Sequence, residues 1–329
     1  MARERRKNPD GASSRIARWR RWLLAVLLFA AVIVGALHWA DLKKFAELVS
    51  RAEPAWLAGA LALQVATYVL LAAQWSLVLR AGKAKRSMRE LFPLTITKLF
   101  ADQVVPTAGV SGNVFLVDRL AATGVRRAIA VAAVILAVIA YYFSYAIAAV
   151  TAVVLLWLRG GVPMIVIGLV ALLFAVATAI PGAALWLQHK SRLPDWAKRF
   201  DSVRELFELI SDAPSRLVRN PKLIAQLTLL NSGVFLADAL TLQLCLFALG
   251  VQAPFAVAFV PFVMASVVVT LGPIPLGLGS FEAVSIGMLR LMGVPFEAAL
   301  SGTLLLRGFT LWLPLAAGLI LSRRELKRT

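Results

Sequence analysis

The feature that most constrains this chain is a series of apolar runs long enough to cross a lipid bilayer. A membrane-spanning helix needs about 20 mostly apolar residues in succession, and hydrophobic residues make up 60% of the 329-residue sequence. We predict six spans, at roughly 22–40, 54–79, 128–158, 162–187, 223–249 and 297–321. The chain is therefore predicted to be an all-α polytopic membrane protein.

Two further apolar stretches, 91–125 and 254–294, are interrupted by proline and glycine. The interrupting residues are Pro106, Gly109 and Gly112 in VVPTAGVSGNVF, and Pro275, Gly277 and Gly279 in PIPLGLGSFEAV. Proline removes a backbone donor, and glycine permits turns that are closed to other residues. We expect each stretch to form a re-entrant helical hairpin, with Ser111 and Ser280 as the N-caps of the second arms.

The positive charge of the chain indicates its orientation in the membrane. The formal net charge is +18, and 27 Lys and Arg residues fall in the two tails, the 80–90 loop, the Arg126-Arg127 pair and the 189–222 linker, against four at the other span ends. Since Lys and Arg concentrate in cytoplasmic loops, we predict a multi-pass protein of the plasma (inner) membrane with both termini in the cytoplasm. Aromatic residues are not interleaved with the basic ones, so we expect no nucleic-acid partner.

The predicted segments form two membrane halves joined by one hydrophilic linker. The apolar run after the basic tail is too long for a typical signal peptide and lacks a cleavage site, so we predict an uncleaved anchor. The linker has apolar residues at helical spacing, which predicts an amphipathic helix on the cytoplasmic surface. The boundaries are 1–21 for the first tail, 22–188 for the first half with hairpin 91–125, 189–222 for the linker, 223–321 for the second half with hairpin 254–294, and 322–329 for the second tail.

The two halves show a weak internal similarity. At one constant shift along the chain, Pro106 aligns with Pro275, Ser111 aligns with Ser280, and the dipeptide at 124–125 aligns with the identical one at 293–294. Each hairpin leaves the membrane on the side from which it enters, so the predicted topology opens the first to the cytoplasm and the second to the outside. Similar segments in opposite orientations form an inverted repeat, as in many transporters.

Eight charged residues remain at membrane depth once the loops are assigned. They are Lys98, Asp102, Asp118, Arg119, Asp238, Glu282, Arg290 and Arg307. An unpaired charge at the bilayer centre costs roughly 2.5–3.5 kcal/mol or more, so each needs a partner, a route to the interface or a function. Asp118, Arg119 and Arg290 lie near the ends of hairpin arms, where their side chains can reach the interface.

The remaining charges allow both a structural and a functional interpretation. Lys98 and Asp102 are four residues apart on one helix, so they either pair with each other or contact a substrate. Glu282 lies in the first turn after Ser280, where the helix dipole stabilises a carboxylate with or without a substrate. Asp238 and Arg307 lie near the centres of full spans. They either form a buried ion pair or provide an anionic-headgroup site, and a pair that faces a cavity can do both.

Both hairpin motifs also carry a resemblance to a known family. VVPTAGVSGNVFLVDRLAATGV and PIPLGLGSFEAVSIGMLRLMGVPFEAALSGTLLLRGFTLWLPLAAG resemble the flippase-like transmembrane region of lysylphosphatidylglycerol synthases and its stand-alone relatives. The resemblance covers the chain from about residue 20 and implies a polytopic domain that moves lipids or lipid-linked intermediates between leaflets. Asn113 stands where many relatives carry an acidic residue. The soluble aminoacyl-transfer domain of the full synthases has no counterpart here, so no synthase activity is expected.

The leading hypothesis is a flippase or transporter for an anionic lipid or lipid-linked intermediate, which is not an enzyme. The alternatives are a membrane-embedded enzyme acting on lipid headgroups and an accessory subunit of a lipid-synthesis complex. Cys245 is the only cysteine and there are two histidines, so we expect no metal site, cofactor or catalytic triad. Membrane lipids are the expected partners, with lipid-synthesis enzymes and further copies of the chain left open. The candidate substrate-binding residues are Arg307, Asp238, Glu282, Lys98, Asp102, Asn113, Ser111 and Ser280.

Overall fold

The computed structural model describes Ser50 and residues 52–104, 110–189, 213–272 and 275–326. Within these residues the chain is helical, with short turns and no β-strand. The helices are α1 Pro54–Ala81, α2 Met88–Val104, α3 Val110–Ala122, α4 Arg127–Trp157, α5 Met164–His189, α6 Ser215–Val218, α7 Pro221–Ala248, α8 Phe255–Leu271, α9 Ser280–Leu291, α10 Phe296–Arg307 and α11 Leu313–Leu326. A 3₁₀ turn, Pro275–Gly277, precedes α9, and a π turn, Gly308–Trp312, joins α10 to α11.

Four stretches of helix in the described part are long and apolar enough to cross a membrane. They are Pro54–Ala81, Arg127–Trp157, Pro221–Ala248 and Phe296–Leu321, and they match four of the six predicted spans. The predicted span 162–187 coincides with α5, of which the stretch Met164–Ala179 is a shorter apolar helix. The predicted span 22–40, the first tail and most of the linker, including its amphipathic helix, lie outside the described residues. The helical membrane-protein class is therefore confirmed.

Each of the two interrupted stretches is a pair of helices separated by a break. The first pair is α2 and α3, and the second is α8 and α9; within each pair the helices pack against each other. The first arms have 17 residues each and the second arms have 13 and 12. All four arms are shorter than the ~20 residues that a full span requires.

Close packing of α1 along α7 forms the longest helix–helix interface in the described part. Small residues permit this approach: a Cβ placed on Gly59 would lie 3.1 Å from the Leu244 side chain, and one on Gly233 would lie 3.3 Å from Leu70. Close approach through small residues is the usual way in which membrane helices associate, because lipid supplies no hydrophobic driving force between them. α4 packs against α7, against α8 and against the first hairpin, and α11 packs against α2.

Candidate functional site

The break of the second hairpin adopts a backbone conformation that few residues tolerate. Leu276, Gly277 and Gly279 have positive φ angles of 59°, 62° and 82°. Gly277 is required for space as well as for its φ, because a Cβ there would overlap the side chain of Val269. These left-handed residues allow the chain to make the turn that leads into α9.

Glu282 closes the start of α9. Its Oε2 accepts a hydrogen bond of 2.7 Å from the backbone N–H of Gly279, the N-cap residue. Glu282 was predicted in the first helical turn, and this position is confirmed. A carboxylate here satisfies an orphan donor and complements the positive end of the helix dipole.

Arg307, the last residue of α10, binds both Glu282 and the backbone of this break. Its Nε donates to Oε1 of Glu282 at 2.7 Å, and its Nη2 donates to the backbone carbonyl of Leu276 at 2.8 Å. The guanidinium group also lies 5.0 Å from the centre of the Phe281 ring, within the range of a cation–π interaction. The side chains of Arg307 and Glu282 are 12% and 18% exposed, so most of the pair is removed from the surface.

The helix that carries Arg307 is itself broken directly after this residue. The π turn Gly308–Trp312 follows, and π turns within helices frequently mark functional sites. The Tyr68 hydroxyl of α1 donates to the carbonyl of Phe309, and Gln103 Nε2 of α2 donates to the carbonyl of Thr310, each at 3.5 Å. The segment 307–312 thus contacts the second hairpin through Arg307 and the first hairpin through Thr310.

The first hairpin carries its own ion pair. Lys98 Nζ and Asp102 Oδ2 of α2 are 2.7 Å apart, so the structural alternative predicted for this pair is confirmed. Asp102 Oδ1 also accepts a 3.0 Å hydrogen bond from the backbone N–H of Gly112 in the first turn of α3. A Cβ on Gly112 would overlap the Asp102 carboxylate, so glycine is needed for this contact. Pro106 and Gly109, predicted to break this hairpin, lie outside the described residues.

The two serines do not cap the second arms, and those predictions are wrong by one or two positions. Ser280 is the first residue of α9 and follows the N-cap Gly279, while Ser111 is the second residue of α3. A left-handed N-cap favours glycine at 279. The hydroxyls instead point to earlier backbone: Ser280 Oγ donates to the Gly277 carbonyl and Ser111 Oγ to the Ala101 carbonyl, each at 3.2 Å. Asn113 lies half-buried in the first turn of α3.

Asp238 does not pair with Arg307, so of the two interpretations left open for these residues the structure excludes the ion pair between them. Asp238 instead accepts a 2.8 Å hydrogen bond from Gln64 Nε2 of α1, which also donates to Thr241 Oγ1 at 3.1 Å. The reason lies in the register of α9 and α10, which a short turn joins as antiparallel neighbours. Ser285 and Thr303 are in hydrogen-bond contact at 2.9 Å, and one turn further from the loop Glu282 meets Arg307.

Sequence reasoning missed Gln64, Tyr68 and Gln103 as parts of this region. A polar residue within an apolar span is a usable signal, and all three carry it, but their partners are 174 to 241 positions away along the chain. The pairing of Glu282 with Arg307 could have been predicted from the sequence, because a short turn between two helices predicts antiparallel contacts symmetric about that turn.

The arrangement places two charged pairs at two helix starts beside one broken span. Each carboxylate satisfies a backbone N–H, and each cation is held by a single carboxylate, so an anionic group could exchange with the carboxylate at the guanidinium or ammonium group. Among the described residues, no group of three His, Cys, Asp or Glu side chains is placed to hold a metal ion. The described geometry therefore brings two cations and two carboxylates to the starts of α3 and α9.

Comparison with protein families assigns most of the chain to one of them. The family model described as "Lysylphosphatidylglycerol synthase TM region" matches residues 22–318 of the chain. No curated protein matches the sequence. The match includes both hairpins and the broken last span.

Proposed function

The chain belongs to the lysylphosphatidylglycerol synthase transmembrane-region family, and we propose that it moves a lipid, or a lipid-linked intermediate, with an anionic headgroup between the leaflets of its membrane. The observation that carries this proposal is the Arg307–Glu282 pair with its tie to the Leu276 carbonyl. Arg307 is the twelfth residue of the 26-residue apolar stretch Phe296–Leu321, so it lies near mid-membrane. Charge at this depth is expensive and marks a functional site by default.

The proposed role of Arg307 follows from its chemistry. A guanidinium group binds phosphate through two parallel N–H donors, and a headgroup phosphate can replace Glu282 as its partner. The hydrogen bond from Arg307 to the Leu276 carbonyl would then break or persist according to the position of the arginine side chain. This gives the site two arrangements, as a transporter requires. Glu282, Asp238, Lys98, Asp102, Asn113, Ser111 and Ser280 complete the proposed substrate path.

We also propose that the two halves form an inverted repeat. Pro54 and Pro221 begin α1 and α7, and Arg127 and Phe296 begin α4 and α10. The number of residues from the start of α1 to the start of α7 is nearly the same as the number from the start of α4 to the start of α10. The first hairpin lies between α1 and α4, and the second lies between α7 and α10.

Side-chain contacts between the halves support the repeat because they are reciprocal. Gln64 of α1 contacts Thr241 of α7, and Asn231 of α7 contacts Gln74 of α1 at 3.0 Å. The sequence separation of Gln64 from Asn231 equals that of Gln74 from Thr241, so each contact is the repeat-related copy of the other. Reciprocal contacts of this kind are the signature of a two-fold axis. With the positive charge on one side, the repeat leads to the proposed topology, a plasma (inner) membrane protein with both termini in the cytoplasm.

The test is transport by the purified protein in liposomes that contain a fluorescent anionic phospholipid in one leaflet. We expect wild-type protein to equilibrate the lipid, Arg307→Ala to lose at least tenfold in rate, and Arg307→Lys to retain part of the rate because it keeps the charge without the fork. Asp118→Asn is the matched control, because Asp118 is 56% exposed in its pair with Arg127 and lies at the far end of α3.

Two results would contradict the proposal. Wild-type protein that moves no lipid would favour the accessory-subunit or enzyme alternatives. A wild-type rate in folded Arg307→Ala would remove this arginine from the substrate path.

A further inference from the structure

A second charged feature lies far from the Arg307 site, where two turns meet. The turn between α1 and α2 and the turn between α3 and α4 line a cavity of about 470 Å³. Lys83, Lys85 and Arg86 come from the first turn and Arg126 from the second, and no lining residue is acidic. Lys83, Lys85 and Arg126 line this cavity and are exposed.

Arg86 joins the two turns and keeps a donor free. Its Nη2 donates to the backbone carbonyl of Thr123. Its Nε is buried and makes no hydrogen bond within the described part of the chain, although the Glu90 carboxylate lies 4.0 Å away. A buried donor without a partner is uncommon in a folded protein. It is consistent with a site for an acceptor.

Comparison with the second half shows that Lys83 occupies a strained position. Lys83 has φ 57°, and Gly250, at the equivalent position of the second half, has φ 79°. Both turns have the same backbone pattern: Lys83 N–H donates to the Arg80 carbonyl at 3.1 Å, and Gly250 N–H donates to the Phe247 carbonyl at 2.9 Å. Glycine adopts this conformation freely and lysine does not.

The equivalent turn of the second half, 250–254, has the sequence GVQAP and no charge. The basic residues therefore belong to the turn of the first half and are not required by the backbone conformation that the two turns share. Residues held in disfavoured backbone conformations cluster at functional sites. At this position the function would lie in the ammonium group.

We propose that this cavity binds the phosphate of an anionic membrane lipid's headgroup. The cavity lies where α1 ends and α4 begins, at Ala81 and Arg127, which is the level of the lipid headgroups. Basic pockets at the cytoplasmic ends of membrane helices bind anionic headgroups in this way. Such binding does not require that the protein transports lipid, so binding and transport can fail separately.

The experiment measures binding to the full-length protein in neutral detergent, with dihexanoylphosphatidylglycerol as the probe. Dihexanoylphosphatidylcholine and inorganic phosphate are the comparison ligands, and native mass spectrometry counts the bound molecules. We expect Lys85→Gln and Arg126→Gln each to weaken probe binding about fivefold. Arg89→Gln is the matched control, because Arg89 is an exposed basic residue of the same region that does not line the cavity.

Lys83→Gly separates binding from folding. We expect it to weaken probe binding about fivefold while Tm stays equal or rises, because glycine relieves the left-handed strain. Unchanged binding in Lys85→Gln and Arg126→Gln, or an equal loss in Arg89→Gln, would overturn the site. Inorganic phosphate that binds as tightly as the probe would overturn its assignment to a lipid.

Discussion

In both hairpins a carboxylate accepts a hydrogen bond from the start of the second arm and pairs with a cation, but the residues that do so come from different helices. In the first, the cation and the carboxylate are Lys98 and Asp102 of one helix, and the carboxylate reaches across to the start of α3. In the second, the carboxylate is Glu282 of the second arm itself, and its cation, Arg307, comes from the next span. The first arm of the second hairpin, α8, contains no charged residue.

The difference shows how each hairpin is connected to the rest of the molecule. Lys98 and Asp102 pair within the first hairpin, which also contacts the last span through the Gln103–Thr310 hydrogen bond. The second hairpin is tied to a span that is broken at the following residue, and Arg307 also holds the Leu276 carbonyl. The last span thus contacts the second hairpin through Arg307 and the first hairpin through the π-turn carbonyl of Thr310.

The largest expected effect concerns the direction in which the two hairpins open. Lys85 and Gln252 are exposed and occupy equivalent positions of the two halves. In a Cys245→Ala background, a membrane-impermeant maleimide should label Lys85→Cys only from the cytoplasm and Gln252→Cys only from the outside, because an inverted repeat places them on opposite faces. The measurement is labelling of intact cells beside inverted vesicles.

The Cys245→Ala protein without an added cysteine is the control for this experiment. Cys245 is buried in the wild-type protein, which should therefore also label weakly in the folded state. Labelling of both positions from one side would break the comparison, since the hairpins would then be parallel.

The second effect separates the two ion pairs. Arg307→Met should lower the free energy of unfolding by about 3 kcal/mol, because it strands Glu282 in a mostly buried position and releases the Leu276 carbonyl. Lys98→Met should lower it by less, about 2 kcal/mol, because it also strands a mostly buried carboxylate, Asp102, but releases no backbone carbonyl. Thermal unfolding in detergent measures both.

Glu282→Gln combined with Arg307→Met is the internal control. The amide can still accept from Gly279 N–H without leaving a charge behind, so the double variant should recover part of the lost stability. Equal losses in Lys98→Met and Arg307→Met would contradict the idea that Arg307 stabilises its hairpin more than Lys98 does.

The smallest effect distinguishes space from backbone conformation within the second break. Gly277→Ala should cost about 2 kcal/mol, because its φ is 62° and its Cβ would overlap Val269. Gly279→Ala should cost about 1 kcal/mol, because its φ is 82° but no atom lies within 4 Å of a Cβ there. Adding Val269→Ala should rescue part of the loss in Gly277→Ala alone. Rescue of both glycine variants would show that the two losses have one cause.

Several local features of the hairpins could be read from the sequence, because they depend on neighbours along the chain. The proline- and glycine-rich breaks, the Lys98–Asp102 pair and the position of Glu282 are of this kind. The N-cap of α9 was predicted one residue too late. Two glycines and a serine lie close together there, and only the backbone angles show which of them is the N-cap. The π turn gives no periodic signal, because its residues remain apolar and helical.

The sequence by itself determined the membrane class, the four spans in the described residues and the break of the second hairpin, because length, hydropathy and proline and glycine content act locally. Only the tertiary structure decided the partners of Asp238 and Arg307. Charge at mid-membrane predicts that each needs a partner, but any polar group that packing brings within about 3 Å can meet the need. Which group does so depends on the register of α9 with α10 and on the contact of α1 with α7.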